Sequence, residues 1–300
     1  MSHDLLQALA IFATGLAAGT INAVVGSGTL ITFPTLLAFG YAPVLANVSN
    51  NVGLVPGVAS GVVGYRAELT GQRRRILRLG TASLGGGLVG AILLLTLPQG
   101  AFKAIVPALI GVAVVMVLIQ PRLAAWVAAR QQPQATPSDA ASLGTRGDAA
   151  GLGSTIGMEG AAADAPRATA VAVPVTVSVP ATEAIGGPVL WVLVFLAGIY
   201  GGYFGAAQGV LLIGLLGIAL GDTLQRINAV KNVLCGLVNG LAAVVFIIAT
   251  RVDWGAAGLI AAGSVIGGQL GARIGRRLPP WGLRVLIVCV GCAALVKLLA

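Results

Sequence analysis

Lys231 stands inside an apolar run, within Asn228-Ala-Val-Lys231-Asn232, and Asn47-Val-Ser-Asn50-Asn51 carries amides in a second run. Residues four apart share a helix face. Asn47 with Asn51, and Asn228 with Asn232, therefore each present two amides together, with Lys231 beside the second pair. Two readings of these groups are open. They line a polar site with one positive charge, which suits an anion. Alternatively, the amides cap or cross-link helices while the lysine snorkels to the membrane surface.

A second set of residues interrupts apolar helices. Gly26-Ser27-Gly28-Thr29 and Gly205-Ala206-Ala207-Gln208-Gly209 hold residues that tolerate unusual backbone angles. A half-helix that starts after such a break points unpaired N–H groups and partial positive charge at whatever precedes it. Ser27, Thr29 and Gln208 add side-chain donors, and Asn22, Tyr200 and Tyr203 lie shortly before the breaks. Gly26, Gly28, Gly205 and Gly209 are the candidate break positions. The competing reading is a simple kink or a glycine packing patch. Gly86, Gly87 and Gly90, with Gly267, Gly268 and Gly271, read as packing glycines.

Catalytic constellations are missing. The single histidine is His3, so a His-based triad or an HExxH zinc site has no material. Cys235, Cys289 and Cys292 all fall in apolar runs, where they read as small buried residues. No Asp or Glu lies near the centre of an apolar run. The expectation is a protein that is not an enzyme and uses no metal and no cofactor.

The elements that position these groups follow from composition. Of 300 residues, 57% are hydrophobic and only 9% charged, and mean hydropathy is +0.96. A soluble chain of this length needs a charged shell that this one cannot supply. The expected class is an all-α integral membrane protein in contact with lipid. The net charge of +9 reflects the positive-inside bias of membrane proteins rather than a nucleic-acid partner. No cleavable signal peptide is evident at the amino terminus.

Apolar runs cover about 5–39 (broken at 26–28), 43–65, 79–97 and 102–120, then 188–220 (broken around 205–209), 226–249, 255–272 and 282–299. Between them, residues 121–187 are rich in Ala, Pro, Ser, Thr and Gly, and read as a disordered linker. A shift of 181 positions places Asn47 on Asn228, Asn51 on Asn232, Ser83 on Ser264 and Gly90 on Gly271. Near the start of each half a shift of 179 fits, placing Gly19 on Gly198 and Gly26 on Gly205. The expected organisation is a first repeat over 1–120, the linker, and a second repeat over 188–300. Each half holds an odd number of crossings whether its broken run crosses or re-enters. The repeats are then inverted, with broken helices or helical hairpins and about 8–10 membrane segments in all. Arginines cluster at 66–78, 226 and 273–284, which places the linker in the cytoplasm and both termini outside.

The pattern Gly19-Thr-Ile-Asn22-Ala-Val-Val-Gly26-Ser-Gly28-Thr-Leu-Ile-Thr-Phe-Pro34, followed by Ala46-Asn47-Val-Ser-Asn50-Asn51, resembles the TauE/SafE-like sulfite exporter family. Gly198-Ile-Tyr-Gly-Gly-Tyr-Phe-Gly205 and Asn228-Ala-Val-Lys231-Asn232 look like that family's second repeat. The third glycine of the usual Gly-rich break is missing from both halves. The resemblance implies export of small sulfur-containing anions, such as sulfite, thiosulfate or organosulfonates, across a bacterial cytoplasmic membrane. Alternatives are an anion channel, a carrier for another anion including uptake, and a membrane scaffold or assembly factor.

Overall fold

Glycine and proline set the helix ends. Gly26 at φ +87°, Gly40 at φ +87° and Gly205 at φ +76° adopt the left-handed backbone that stops a helix, while Pro43 and Pro188 start helices at the position where a missing N–H costs nothing. The structure, a computed structural model, describes residues 2–130, 187–274 and 288–289. Among them the elements are α1 (Ser2–Val24), α2 (Thr29–Ala38), α3 (Pro43–Gly64), a 3₁₀ turn (Arg66–Leu69), α4 (Arg73–Thr96), α5 (Gln99–Arg130), α6 (Pro188–Tyr203), α7 (Gln208–Ala219), α8 (Leu224–Ala249) and α9 (Trp254–Ile274), with no strand. Helix α5 continues through Pro121 to Arg130. Linker positions 131–186, Cys292 and nearly all of the last apolar run lie outside the described residues.

Among the described residues, five helices are long and apolar enough to cross a membrane: most of α1, α4, part of α5, α8 and most of α9. Helices α2, α6 and α7 are apolar but shorter. Burial is reversed relative to a soluble protein. Leu88, Ile92, Val112, Leu118, Leu196 and Ile248 face outward, while Asn47, Ser49, Asn50, Lys231 and Asn232 are buried. Hydrocarbon accepts the first set and penalises the second unless each polar group finds a partner.

Close helix contacts fix the chain direction. A methyl at Gly15 or at Gly53 would each strike Ile260, and one at Gly19 or Gly57 would each strike Ser264. Helices α1, α3 and α9 therefore run parallel. Since α2 connects the far end of α1 to the start of α3, it must turn back, and α1–α2 is a hairpin with its tip at residues 25–28. In the other half, Arg75 meets Asp222, and the Trp191 indole N–H donates to Thr81 Oγ1 at 3.1 Å. The starts of α4, α6 and α8 thus lie together, and α6–α7 folds back in the same manner. Both breaks contain four residues, 25–28 and 204–207. The two residues that change the sequence offset from 179 to 181 lengthen α7 to 12 residues, against 10 for α2.

The expected packing glycines hold the strongest helix pairs, α1 with α9 and α4 with α6. A side chain at Gly86 would collide with the Phe195 carbonyl, and one at Gly267 with the Leu16 carbonyl. Backbones pack directly there, as small-residue membrane contacts require.

An ion network ties the α3–α4 loop to the start of α8. Asp222 accepts from Arg75 at 2.8 Å and from Arg226 Nε at 2.9 Å, and Arg226 donates to the Thr70 carbonyl at 3.3 Å. Burial raises the Asp222 pKa, but the hydrogen bonds and charge of the two guanidiniums outweigh that and hold it below the ordinary carboxylate value.

Candidate functional site

The two breaks meet. The Gly209 N–H donates to the Gly26 carbonyl at 3.1 Å, joining the first turn of α7 to the tip of α1–α2. A Cβ on Gly26 would sit 2.5 Å from the Gly209 Cα, and a Cβ on Gly209 would sit 2.5 Å from the Gly26 Cα. Only glycine permits this crossing. Behind it, Phe33 of α2 packs edge-on against Phe204 at 5.2 Å between ring centroids, and Phe102 of α5 lies 6.4 Å from Phe204.

The amide helices serve the helix ends created by the breaks. A helix leaves its last carbonyls without partners, and here those of the broken helices receive donors from the opposite half. Asn228 Nδ2 donates to the Ala23 carbonyl at 3.0 Å, Asn232 Nδ2 to the same oxygen at 3.3 Å, and Lys231 Nζ to the Asn22 carbonyl at 3.0 Å. In the reciprocal arrangement, Asn47 Nδ2 of α3 donates to the Tyr203 carbonyl at the end of α6, at 3.0 Å. Asn50 stays within its own half: its Oδ1 accepts a short hydrogen bond from Thr32, and its Nδ2 donates to Thr29 Oγ1 at 3.4 Å. Asn51 Nδ2 donates to Asn239 Oδ1 at 3.4 Å. The Gly28 N–H, at the start of α2, donates to Asn22 Oδ1 at 2.7 Å.

A cleft opens beside the crossing. Its walls include Asn22, Gly26, Thr29, Gly205, Gln208, Gly209 and Asn232 from the candidate residues, and it encloses about 390 Å³ between atoms with its mouth included. The free room between the walls themselves is about that of one water molecule. Asn47, Asn50, Asn51 and Asn228 brace the helices around it. Ser27 is fully buried in the break but off the cleft wall, and Tyr203 turns its ring to Phe102 at 5.8 Å. Lys231 also lies off the wall and is fully buried. It does not snorkel.

Asn239 and Cys235 line the cleft and were not among the candidates. Their signal was present, because Asn228, Asn232, Cys235 and Asn239 recur at steps of four, three and four, one continuous face of α8. Gly201 was missed as well: the space its absent side chain leaves is filled by the Gln208 amide, whose Nε2 is 2.5 Å from a Cβ built there.

The chemistry of the cleft is that of donors. Gln208 is 2% exposed, and among the described residues its Nε2 has no hydrogen-bond partner, nor does the Ser27 hydroxyl. A buried amide donor without a partner costs about 1–3 kcal/mol. The start of α7 adds the positive end of its dipole, although its Gly209 N–H is taken by the Gly26 carbonyl and those of Val210 and Leu211 by the Ala207 carbonyl. A Cβ on Gly205 would press on the Gly201 carbonyl at 3.2 Å and stand 3.9 Å from both Asn239 Oδ1 and Thr29 Oγ1. Among the described residues, no group of three or more His, Cys, Asp or Glu gathers where a metal could bind.

Ala207, immediately before α7, takes φ 62° and ψ 12°, a left-handed conformation that suits glycine. This is where a further glycine would fit in the second break. Holding alanine there costs about 1–2 kcal/mol. Ala207→Gly is expected to raise the thermal midpoint in detergent, with a gain of about 1 kcal/mol. A lower midpoint would mean that the packing of the buried methyl outweighs the backbone cost.

A family model described as "Sulfite exporter TauE/SafE" matches residues 11–298. The chain belongs to the sulfite exporter TauE/SafE family. It is a multi-pass membrane protein of a transporter family, as the motifs at both breaks led one to expect. The chain is also similar to the "Probable membrane transporter protein ORF9" of Sinorhizobium sp, with 28% identity over 100 residues. That match spans 33% of this chain and 38% of the relative's length. No solved structure matches.

Proposed function

We propose that this TauE/SafE protein is a secondary transporter of small anions, exporting sulfite, thiosulfate or organosulfonates across a bacterial cytoplasmic membrane by alternating access. The observation that carries this reading is the meeting of two re-entrant breaks at one cleft with the unpartnered Gln208 donor on its wall. Asn22, Thr29, Gln208, Asn232 and the start of α7 contact the anion in this reading, while Ser27, Asn47, Asn50, Asn51, Tyr203, Asn228 and Lys231 support the site from behind.

The two halves, 1–120 and 188–300, are repeats of inverted topology, joined by the linker 121–187. Support comes from the recurrence of element starts, Pro43 with Leu224 and Arg73 with Trp254, both 181 apart. It comes also from the α1–α2 hairpin, which starts at the end where α3 and α9 start, while α6–α7 starts where α4 and α8 start. With the arginine loops at the inner face, both termini lie outside and the linker lies in the cytoplasm. An anion leaving a negative-inside cell gains about 2.3 kcal/mol per charge per 100 mV, so export needs no carboxylate relay.

The test is ligand stabilisation of the purified protein. Sulfite, thiosulfate or methanesulfonate at about 100 times its dissociation constant is expected to stabilise by about 2.7 kcal/mol, with equal concentrations of choline chloride as control. Gln208→Leu is expected to remove most of that shift without unfolding the protein. Equal stabilisation of Gln208→Leu and the native chain would move the site elsewhere.

A further inference from the structure

Lys231 is fully buried in the middle of the bundle, and among the described residues no carboxylate pairs with it. Outside the linker the acidic residues are Asp4, Glu68, Asp222 and Asp253. None of them lies in the interior of a helix, and Asp222 is held by Arg75 and Arg226. The ammonium has three donors, and the Asn22 carbonyl accepts from it at 3.0 Å. An ammonium so poorly compensated is costly to bury among packed helices.

The surroundings do not supply the missing charge. Helix α1 brings the Asn22 carbonyl, and α7 brings no titratable side chain. Tyr65 follows α3, and α6 contributes Tyr200 and Tyr203, all three neutral phenols. On α8 itself Cys235 is one turn on, and Arg226 is five residues back, about 7.5 Å along the axis. The 3₁₀ turn carries Arg66 and Glu68, α4 carries Arg73, Arg74, Arg75 and Arg78 in its first turns, and the charged residues of α5 are Lys103, Arg122 and Arg130. On these elements basic residues outnumber acidic ones.

One missing charge arrives with the substrate. Asn22, Asn232 and Cys235 line the cleft, and Lys231 bonds the first, adjoins the second and shares a helix face with the third. We propose that Lys231 takes up a proton when an anion enters the cleft, so that this transporter binds its anion and a proton together. The inference rests on the anion reading of the cleft. The proton comes from water on the side to which the cleft is open and goes to the free electron pair of Nζ, and nothing else is transferred. The coupling is reciprocal: a protonated Lys231 favours the anion, and the anion favours protonation. A dianion such as sulfite or thiosulfate then occupies the site with one net negative charge, so the membrane potential still drives it outward.

Titration calorimetry on the full-length purified protein tests this. The probes are thiosulfate and methanesulfonate, neither of which titrates near neutral pH. Heats measured in two buffers of different ionisation enthalpy report protons exchanged on binding. Uptake approaching about one proton per anion is expected, with affinity falling by up to about tenfold for each pH unit where Lys231 is neutral in the free protein. In Lys231→Gln, uptake is expected to vanish while the donor to the Asn22 carbonyl remains. Anion binding by the native protein without proton uptake at any pH overturns the inference and leaves the anion site standing. Uptake that persists in folded Lys231→Gln overturns it too, by assigning the proton to another group. Failure of the native protein to bind either anion overturns both readings. Should Lys231→Gln not fold, the native measurement decides alone.

Discussion

Gly26→Ala is expected to prevent assembly of the folded protein, and Gly209→Ala to weaken it severely. The two glycines cross with backbone against backbone and share the hydrogen bond from the Gly209 N–H to the Gly26 carbonyl. A methyl on either would lie 2.5 Å from the other's Cα, a separation that real Cβ atoms do not adopt. The obstacle is main chain, so no side-chain rotation relieves it and the hairpins must move apart. Gly26 carries a second penalty, because its φ of +87° costs an alanine about 1–2 kcal/mol. Adding overpacking of about 1–3 kcal/mol gives a loss of about 3 kcal/mol or more for Gly26→Ala. Gly40 separates the two effects: it has the same φ of +87°, but nothing lies within 4 Å of its would-be Cβ. Gly40→Ala should cost only about 1–2 kcal/mol. Size-exclusion profiles and thermal midpoints in detergent read the series. A Gly26→Ala no worse than Gly40→Ala would mean that the crossing does not hold the breaks together.

The helix breaks were legible because glycines inside an apolar run have few other uses, and because the same interruption recurs at Gly26 and Gly205. Helix direction and the hairpin return were not. A run such as 5–39 has the same composition whether it crosses or folds back, and only the contacts of Gly15 and Gly53 with Ile260 decide between them. The amides were legible as a pair on each helix, yet their partners were not. Spacing fixes which face Asn47 and Asn228 occupy, but the carbonyls they serve are 156 and 205 residues away in the chain. Lys231 illustrates the limit most clearly. Its place beside the amide face suggested either the anion or the membrane surface, and its Nζ reaches neither the cleft space nor the surface but the carbonyl of Asn22, a wall residue near the end of α1. Asn239 was overlooked because its position in the first half is Val58, so the comparison of repeats gave no prompt.

Replacing the buried lysine should separate stability from transport. Lys231→Met keeps the length and apolar stem and removes the amine. It forfeits one hydrogen bond to the Asn22 carbonyl, worth about 1 kcal/mol net. It also removes a buried amine that has no carboxylate beside it, and replacing a poorly compensated buried polar group by well-packed apolar atoms is commonly neutral or stabilising. The expected thermal midpoint is therefore equal to or above that of the native protein, while anion flux in proteoliposomes falls by about tenfold to a hundredfold, the equivalent of one charge-assisted interaction. Asn47→Leu provides the contrast. Asn47 is 2% exposed and its amide serves the Tyr203 carbonyl from behind the cleft, so its loss leaves a buried acceptor without that donor. That variant should lose about 1–3 kcal/mol of stability, with flux per folded molecule close to native. A buried lysine without a carboxylate partner brings the fold little beyond its one hydrogen bond, so a more stable but inactive Lys231→Met would place the cost of Lys231 on function. If Lys231→Met instead loses stability as Asn47→Leu does and keeps its flux, Lys231 is a cap on α1 and the anion is held by the cleft wall alone.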